Sequence, residues 1–227
     1  MINFKDVSLE INNEKILKNL NFEIFSGELV AIIGNSGAGK STVFSMLIGE
    51  KKPTSGEIDV DFLSLKDFSK KDLQTYRRKI GVVFQDFRLL KNRTVFENIS
   101  FALEICGKED QIQKKVPQLL SLVGLWNKRN FFPHMLSGGE SQKVSIARAL
   151  IHDPKILIAD EPTGNLDPQN SLEIIKIFQD LNQKNKITTV FATHDPLLIK
   201  YLHPRVIKLE KGKILFDKIK YEVEEIF

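Results

Sequence analysis

Gly34-Asn35-Ser36-Gly37-Ala38-Gly39-Lys40-Ser41-Thr42 satisfies the pattern G-x-x-x-x-G-K-[ST], a loop that cradles nucleotide phosphates. The apolar run Leu29-Val30-Ala31-Ile32-Ile33 predicts a buried strand entering the loop. Val43 to Ile48 predicts the helix leaving it, with Gly49 as its stop. Glycines at 34, 37 and 39 let the backbone turn tightly and bring successive N–H groups towards phosphate oxygens. The new helix adds the positive end of its dipole. In this pattern Lys40 reaches the β- and γ-phosphates and Ser41 ligates Mg²⁺.

Upstream of the loop, Ile2 to Ile11 and Ile16 to Phe25 read as short strands, with turns at Asn12-Asn13 and Ser26-Gly27. Downstream, Thr54-Ser55-Gly56 marks a turn before Glu57 to Val60, and Lys79 to Gln85 reads as a buried strand. The pattern then turns helical. Thr94-Val95-Phe96-Glu97 is a capping box, and a helix is predicted over Glu109 to Val123, with Pro117 near a bend or an end. Ser137-Gly138-Gly139-Glu140 is a second capping box, opening a helix to about His152. Beyond Asp153-Pro154, strands at Ile156 to Ala159 and Ile187 to Thr193 alternate with helices begun by Asp167-Pro168 and Asp195-Pro196. A hairpin over about Arg205 to Asp217 turns at Lys211-Gly212, and the short remainder leaves no room for a regulatory domain. Near-continuous apolar strands alternating with helices imply a parallel sheet covered by helices. The helical stretch reads as a subdomain inserted into it.

Composition sets the class. With 42% hydrophobic and 27% charged residues, the chain reads as a soluble globular protein. No apolar run approaches the roughly 18 residues of a membrane span. Met1-Ile2-Asn3-Phe4-Lys5-Asp6 alternates like a strand, not like a signal peptide. Cys106 is the only cysteine, which excludes an internal disulfide and fits a reducing compartment. The net charge of +4, from 33 basic and 29 acidic residues, is compatible with work near an anionic membrane and is weak support for nucleic-acid binding.

Ile156 to Ala159 ends in Asp160-Glu161. A phosphate-loop ATPase needs an acidic residue there to hold Mg²⁺, a role that suits Asp160, while Glu161 is placed to orient or deprotonate the attacking water. His194 follows the strand ending at Thr193, where strand ends face the nucleotide, and can hydrogen-bond the γ-phosphate. Leu136-Ser137-Gly138-Gly139-Glu140 exposes backbone N–H groups at a helix start, making a second anion site. One nucleotide does not need two such sites in one chain. A dimer in which this site caps the γ-phosphate held by the other copy explains both.

With those residues in place, the sequence resembles the ATP-binding subunits of ATP-binding-cassette (ABC) systems over essentially its whole length. The resemblance implies an α/β phosphate-loop NTPase of ABC type: a mixed-sheet core, an antiparallel N-terminal part and an inserted helical subdomain. The core would take residues 1–85 and 154–227, and the helical subdomain about 86–153. It implies a Walker A loop at Gly34 to Ser41, extended by Thr42, and a Walker B strand at Ile156 to Asp160. The signature becomes Leu136 to Glu140 and the D-loop Asn165-Leu166-Asp167, so Asp167 joins the nucleotide-binding set. Gln85 becomes the Q-loop glutamine, counted with Glu161 and His194 as catalytic and with Ser41 and Asp160 as metal ligands. ATP and Mg²⁺ are the implied cofactors, and two copies would sandwich two ATP molecules.

A narrower resemblance joins Phe84 to Leu90 and Arg93 to Asn98 to the cell-division ATPases of the FtsE group. Asp160 to Asp167 is shared with that group and with lipoprotein-release and macrolide-export ATPases. The resemblance implies a cytoplasmic protein held at the inner face of the membrane by an FtsX-like partner, docked near the Q-loop and the helical subdomain. The pair would regulate cell-wall hydrolases at division. A lipoprotein-release or efflux ATPase is the alternative, and a soluble ABC protein acting on DNA or ribosomes stands lower. No Asn-Lys-x-Asp element for guanine occurs. Two positions depart from the family. Ile11 stands where an aromatic residue usually stacks on adenine, and Lys143 where Arg is common after the signature.

Overall fold

The computed structural model describes residues 1–61 and 63–226. Along the chain lie β1 (Ile2–Ile11), β2 (Glu14–Ile24), β3 (Leu29–Ile33), α1 (Lys40–Leu47), β4 (Ser55–Val60) and β5 (Leu63–Ser64). Next come α2 (Lys70–Arg77), β6 (Ile80–Val83), α3 (Val95–Glu104), α4 (Ile112–Leu122) and α5 (Gly138–Leu150). The remainder holds β7 (Ile156–Asp160), α6 (Pro168–Asn185), β8 (Thr188–Ala192), α7 (Pro196–Leu202), β9 (Arg205–Glu210) and β10 (Lys213–Lys218).

Two sheets organise these elements. The first is antiparallel, in the order β2-β1-β4-β5, and the second runs β10-β9-β3-β8-β7-β6. In the second, β9, β3, β8, β7 and β6 are parallel, and β10 closes the edge antiparallel to β9. Every residue of β8 and all but the last of β7 are buried, as expected of parallel strands covered on both faces. Val30, Ile32, Ile158 and Val190 pack towards the antiparallel sheet and α1. Ala31, Ile33, Leu157 and Phe191 pack towards α5, α6 and α7. A third cluster, Val95, Ile99, Leu103, Val116, Leu120 and Val144 among others, joins α3, α4 and α5. Near α5 an ideal Cβ on Gly81 would sit 2.7 Å from the Ala149 carbonyl oxygen, so a glycine in β6 lets that helix approach.

The helix starts follow the sequence signals. Thr94 and Ser137 head complete capping boxes with Glu97 and Glu140, and Asp167 and Asp195 cap α6 and α7. Three features differ from the expectations. Pro117 lies inside α4, not at its end. Its ring removes the hydrogen bond to the Gln113 carbonyl, and Gln113 is an exposed residue, which lowers the cost of that loss. A third capping box, Ser69 with Asp72, opens α2 in a stretch to which the sequence patterns assign no helix. After β10 the chain folds back in a short 3-10 turn at Val223–Glu225 and buries Ile226 completely in the second cluster.

Candidate active site

At the carboxyl ends of β3, β7 and β8 a cleft of about 740 Å³ is lined by residues 33–42, with Gln85, Asp160, Glu161, Thr193 and His194. The loop folds as its glycines dictate. Gly34 has φ 150° and Gly39 has φ 109°. A Cβ on Gly34 would sit 2.3 Å from the Leu209 carbonyl oxygen, so only glycine lets β9 pass this close. Lys40, the first residue of α1, donates from Nζ to the Gly34 carbonyl at 2.7 Å and to the Asn35 carbonyl at 3.4 Å. Its ammonium is therefore held within the loop.

Asp160 ends β7 beside this lysine. Burial, then the Glu161 charge, push its carboxyl above the usual range, while Ser41, Lys40 and Arg88 pull it down. Glu161 has φ 47°, a left-handed conformation costly for a residue with a Cβ, and its N–H donates to the Ala192 carbonyl at 3.1 Å. This turn aims a largely buried carboxylate at His194: Nδ1 lies 2.8 Å from Oε2, and the His194 N–H donates to the same oxygen at 3.3 Å. With Nδ1 donating, the other ring nitrogen faces away from Glu161 as a second polar group.

Among the described residues no three His, Cys, Asp or Glu side chains gather into a metal cage. A cation at this site would draw on the Asp160 carboxylate and the Ser41 hydroxyl, with the rest of its shell from phosphate oxygens and water. That sparse set of hard oxygens fits Mg²⁺, which keeps several waters and binds through one or two carboxylates plus phosphates. The residues present therefore fit a Mg²⁺-nucleotide.

Ser137, Gly138, Gly139, Glu140 and Asp167 do not line this cleft. They form a second centre. A Cβ on Gly138 would lie 3.6 Å from Leu166, and one on Gly139 would lie 2.4 Å from the Asn170 side-chain oxygen, so the start of α5 packs tightly on the start of α6. Asp167 accepts from the Gln169 and Asn170 N–H groups at 3.1 and 3.0 Å. Glu140 accepts from the Ser137 N–H at 3.0 Å and pairs with Lys128. Burial opposes its charge, but Lys128 and the Ser137 N–H outweigh it and hold its carboxyl below the usual range. Ile11 is outside the cleft lining, 37% exposed at the end of β1, and Ile16 across the turn lines the cleft instead.

Sequence reading alone does not find Arg148. From α5 it donates to the Phe87 carbonyl at 2.7 Å and the Arg88 carbonyl at 2.6 Å. Both acceptors have positive φ, so the arginine clamps an unusual turn just after Gln85. Its neighbours on the helix, Ser141, Val144 and Ser145, give no local pattern that could have flagged it. Beside this turn a groove of about 820 Å³ runs from Asp86, Phe87 and Leu89 to Phe132, Pro133 and His134.

The family described as ABC transporter matches residues 17–164. The cell division ATP-binding protein FtsE of Bacillus subtilis is 45% identical over 98% of this chain and 98% of its own length. The methionine import ATP-binding protein MetN of Carboxydothermus hydrogenoformans is 44% identical over 92% of this chain but 62% of its own length. An ATP-binding cassette solved as a dimer in a post-hydrolysis state with ADP and Pi superposes with a TM-score of 0.87 at 34% identity, covering 96% of this chain and 98% of that one. The cbiO1 protein of Clostridium perfringens, part of the ABC transporter complex cbiONQ, superposes at 0.88 with 33% identity, covering 99% and 89%. On this match of sequence, fold and phosphate loop, the chain belongs to the ABC transporter family, as one of its ATP-binding, ATP-hydrolysing cassettes.

Proposed function

We propose that this chain is an FtsE-like ATPase that works as a homodimer with an FtsX-like membrane protein and drives regulation of cell-wall hydrolysis at division. The observation that carries the reading is full-length similarity to FtsE proteins joined to an intact Lys40, Asp160, Glu161 and His194 set around one cleft.

In this reading the N–H groups of residues 34–42, with Lys40, bind the β- and γ-phosphates, and Gln85, which lines the cleft, would help hold the cation and orient the attacking water. Mg²⁺ held by Ser41 and Asp160 would neutralise charge on the phosphates. Glu161 takes the proton from the attacking water, ATP giving ADP and phosphate, and its turn keeps it within reach of His194. His194 contacts the γ-phosphate through the nitrogen turned away from Glu161. Ser137, Gly138, Gly139 and Asp167 serve the nucleotide of the second copy, which explains why they stand outside the cleft of their own chain. Residues about 86–153 form the partner-facing subdomain, with 1–85 and 154–227 as the ATP-binding core. The groove beside the Arg148 clamp, apolar at Phe87, Leu89, Phe132 and Pro133, receives the membrane partner on the inner face of the membrane. Among the described residues no helix is long and apolar enough to cross a membrane.

The 44% identity to MetN supports a second reading, the ATPase of a solute transporter. Affinity capture decides. The tagged Glu161→Gln chain is incubated with ATP and detergent-solubilised native membranes. Recovery of a four-span protein that binds cell-wall hydrolases is the expected result. Recovery of an import, efflux or lipoprotein-release permease moves the function to transport, and recovery of ribosomes or DNA alone overturns both.

A further inference from the structure

We propose that Lys208 is a second phosphate-directed cation of the nucleotide cleft and that residues 221–226 form a strap that holds it back. The inference rests on the nucleotide reading of that cleft.

Lys208 sits on β9 in register with Ile33, the residue immediately before the phosphate loop. It lines the main cleft together with Lys40, Asp160 and His194. It also lines a smaller cavity of about 240 Å³ between residues 35–38 of the loop and 208–211. A long basic side chain thus flanks the loop whose N–H groups meet phosphate. Among the described residues its hydrogen-bond partner is neutral: Nζ donates to the Ile226 carbonyl at 2.8 Å.

The segment that supplies this carbonyl is fastened at several points. Ile226 is fully buried and itself lines the cleft. The Tyr221 hydroxyl donates to the Pro204 carbonyl at 2.6 Å, and burial pushes its pKa up to about 12. Lys218 meets Glu225 at 3.3 Å in an exposed pair. Backbone support is thin, one turn closed by Glu225 N–H to Glu222 and Ile226 N–H to Val223. One fully buried side chain, the half-buried Tyr221 and Val223 and a neutral acceptor make a hold that an anion can compete with, because a phosphate oxygen offers the ammonium a charge–charge attraction that a neutral carbonyl lacks. Nucleotide binding therefore draws Lys208 towards phosphate and loosens the strap. Release of the strap by other means raises nucleotide affinity by the same coupling, since linkage is reciprocal.

The test uses the full chain carrying Glu161→Gln, titrated with ATP at equilibrium, and hydrogen exchange at the amides of residues 225 and 226. Lys208→Met keeps the stem that packs near Phe216, 5.7 Å from Nζ to the ring centre, and removes the charge. It is expected to weaken ATP binding about tenfold, the scale of one hydrogen bond to a charged group, while Lys208→Arg retains most of the affinity. ATP should speed exchange at residues 225 and 226 in the parent and not in Lys208→Met. Ile226→Ala should tighten ATP binding only while Lys208 is present. Unchanged affinity in Lys208→Met, or exchange indifferent to ATP, overturns the proposal. If Lys208→Met does not fold, Ile226→Ala and the exchange of the parent decide alone. Lys40→Ala in the same background separates the two claims. Lost binding there beside normal binding in Lys208→Met removes the strap alone, and retained binding in Lys40→Ala removes the nucleotide reading with it.

Discussion

Glu161 shows how one residue's backbone can be shaped for chemistry. Its φ of 47° turns a carboxylate into contact with His194, a conformation the strand before it would not adopt. Replacing it with glutamine keeps the shape and removes the proposed base. Glu161→Gln should bind ATP as the parent does and hydrolyse it about 10²–10⁴-fold more slowly, read by nucleotide titration and phosphate release. Gly139 makes a second residue-scale case. A methyl group there meets Asn170 at 2.4 Å. Gly139→Ala should impair hydrolysis, and Asn170→Ala should restore part of the loss, because the clash ends on a side chain and not on backbone. A double-mutant cycle on turnover reads that coupling, and strict additivity would place the effect elsewhere. Ile11 supplies no aromatic face near the cleft. Stacking on a base is worth about 1–3 kcal/mol, so discrimination of ATP from GTP should be weak in competitive titration. A strong ATP preference unchanged in Ile11→Ala would mean that another residue holds the base.

Among the secondary-structure elements, three helices begin with the same reciprocal cap, and the caps carry a pH signature. The Thr94 N–H, then its hydroxyl, hold the Glu97 carboxyl below its usual range, and the Ser69 hydroxyl, then its N–H, do the same for Asp72. A lowered carboxylate contributes stability that is present above its unfolded pKa, about 4, and is lost as pH falls through the lower folded value. Thermal unfolding followed down through that range should fall less steeply in Glu97→Gln than in the parent. Equal slopes would show that the cap's charge contributes nothing to folding. These helix starts are readable because a cap is a local pattern: Thr94 with Glu97 and Ser137 with Glu140 satisfy each other within one turn. The Ser69 cap is equally local but harder to read, since α2 buries little beyond Tyr76 and has no clear apolar stripe. Pro117 stands inside a helix although a helix interior disfavours proline. The residue whose carbonyl loses its partner, Gln113, lies on an exposed stretch, where the lost bond costs less.

Across the whole molecule, the phosphate loop and the Ser137 helix start stand apart, and the proposed dimer rests on that separation. Ser137 and Lys40 belong to different elements and do not meet in one chain. If each site is built from two copies, Lys40→Ala and Ser137→Arg should each lose hydrolysis alone and recover part of it when mixed. One of the two sites in the mixed dimer then keeps both centres intact. No recovery on mixing, with both variants folded, would argue for hydrolysis within a single copy. Sedimentation of Glu161→Gln should likewise show a dimer with ATP and a monomer with ADP.

Contiguous residues were enough to specify the phosphate loop, the carboxylates at the end of β7, most of the helix caps and the alternation that makes a parallel sheet. In each, glycine, proline, capping oxygens or apolar runs act over one turn or one strand. What meets across the chain came only with the packed fold. It set Glu161 against His194, Arg148 against the carbonyls after Gln85, and Lys208 against Ile226. It also placed Ile16, and not Ile11, at the cleft. Such pairs depend on strand order and helix packing, which come from the burial of three apolar clusters at once. No local pattern encodes a partner far away in the chain, because the free energy that selects it is shared by the whole core.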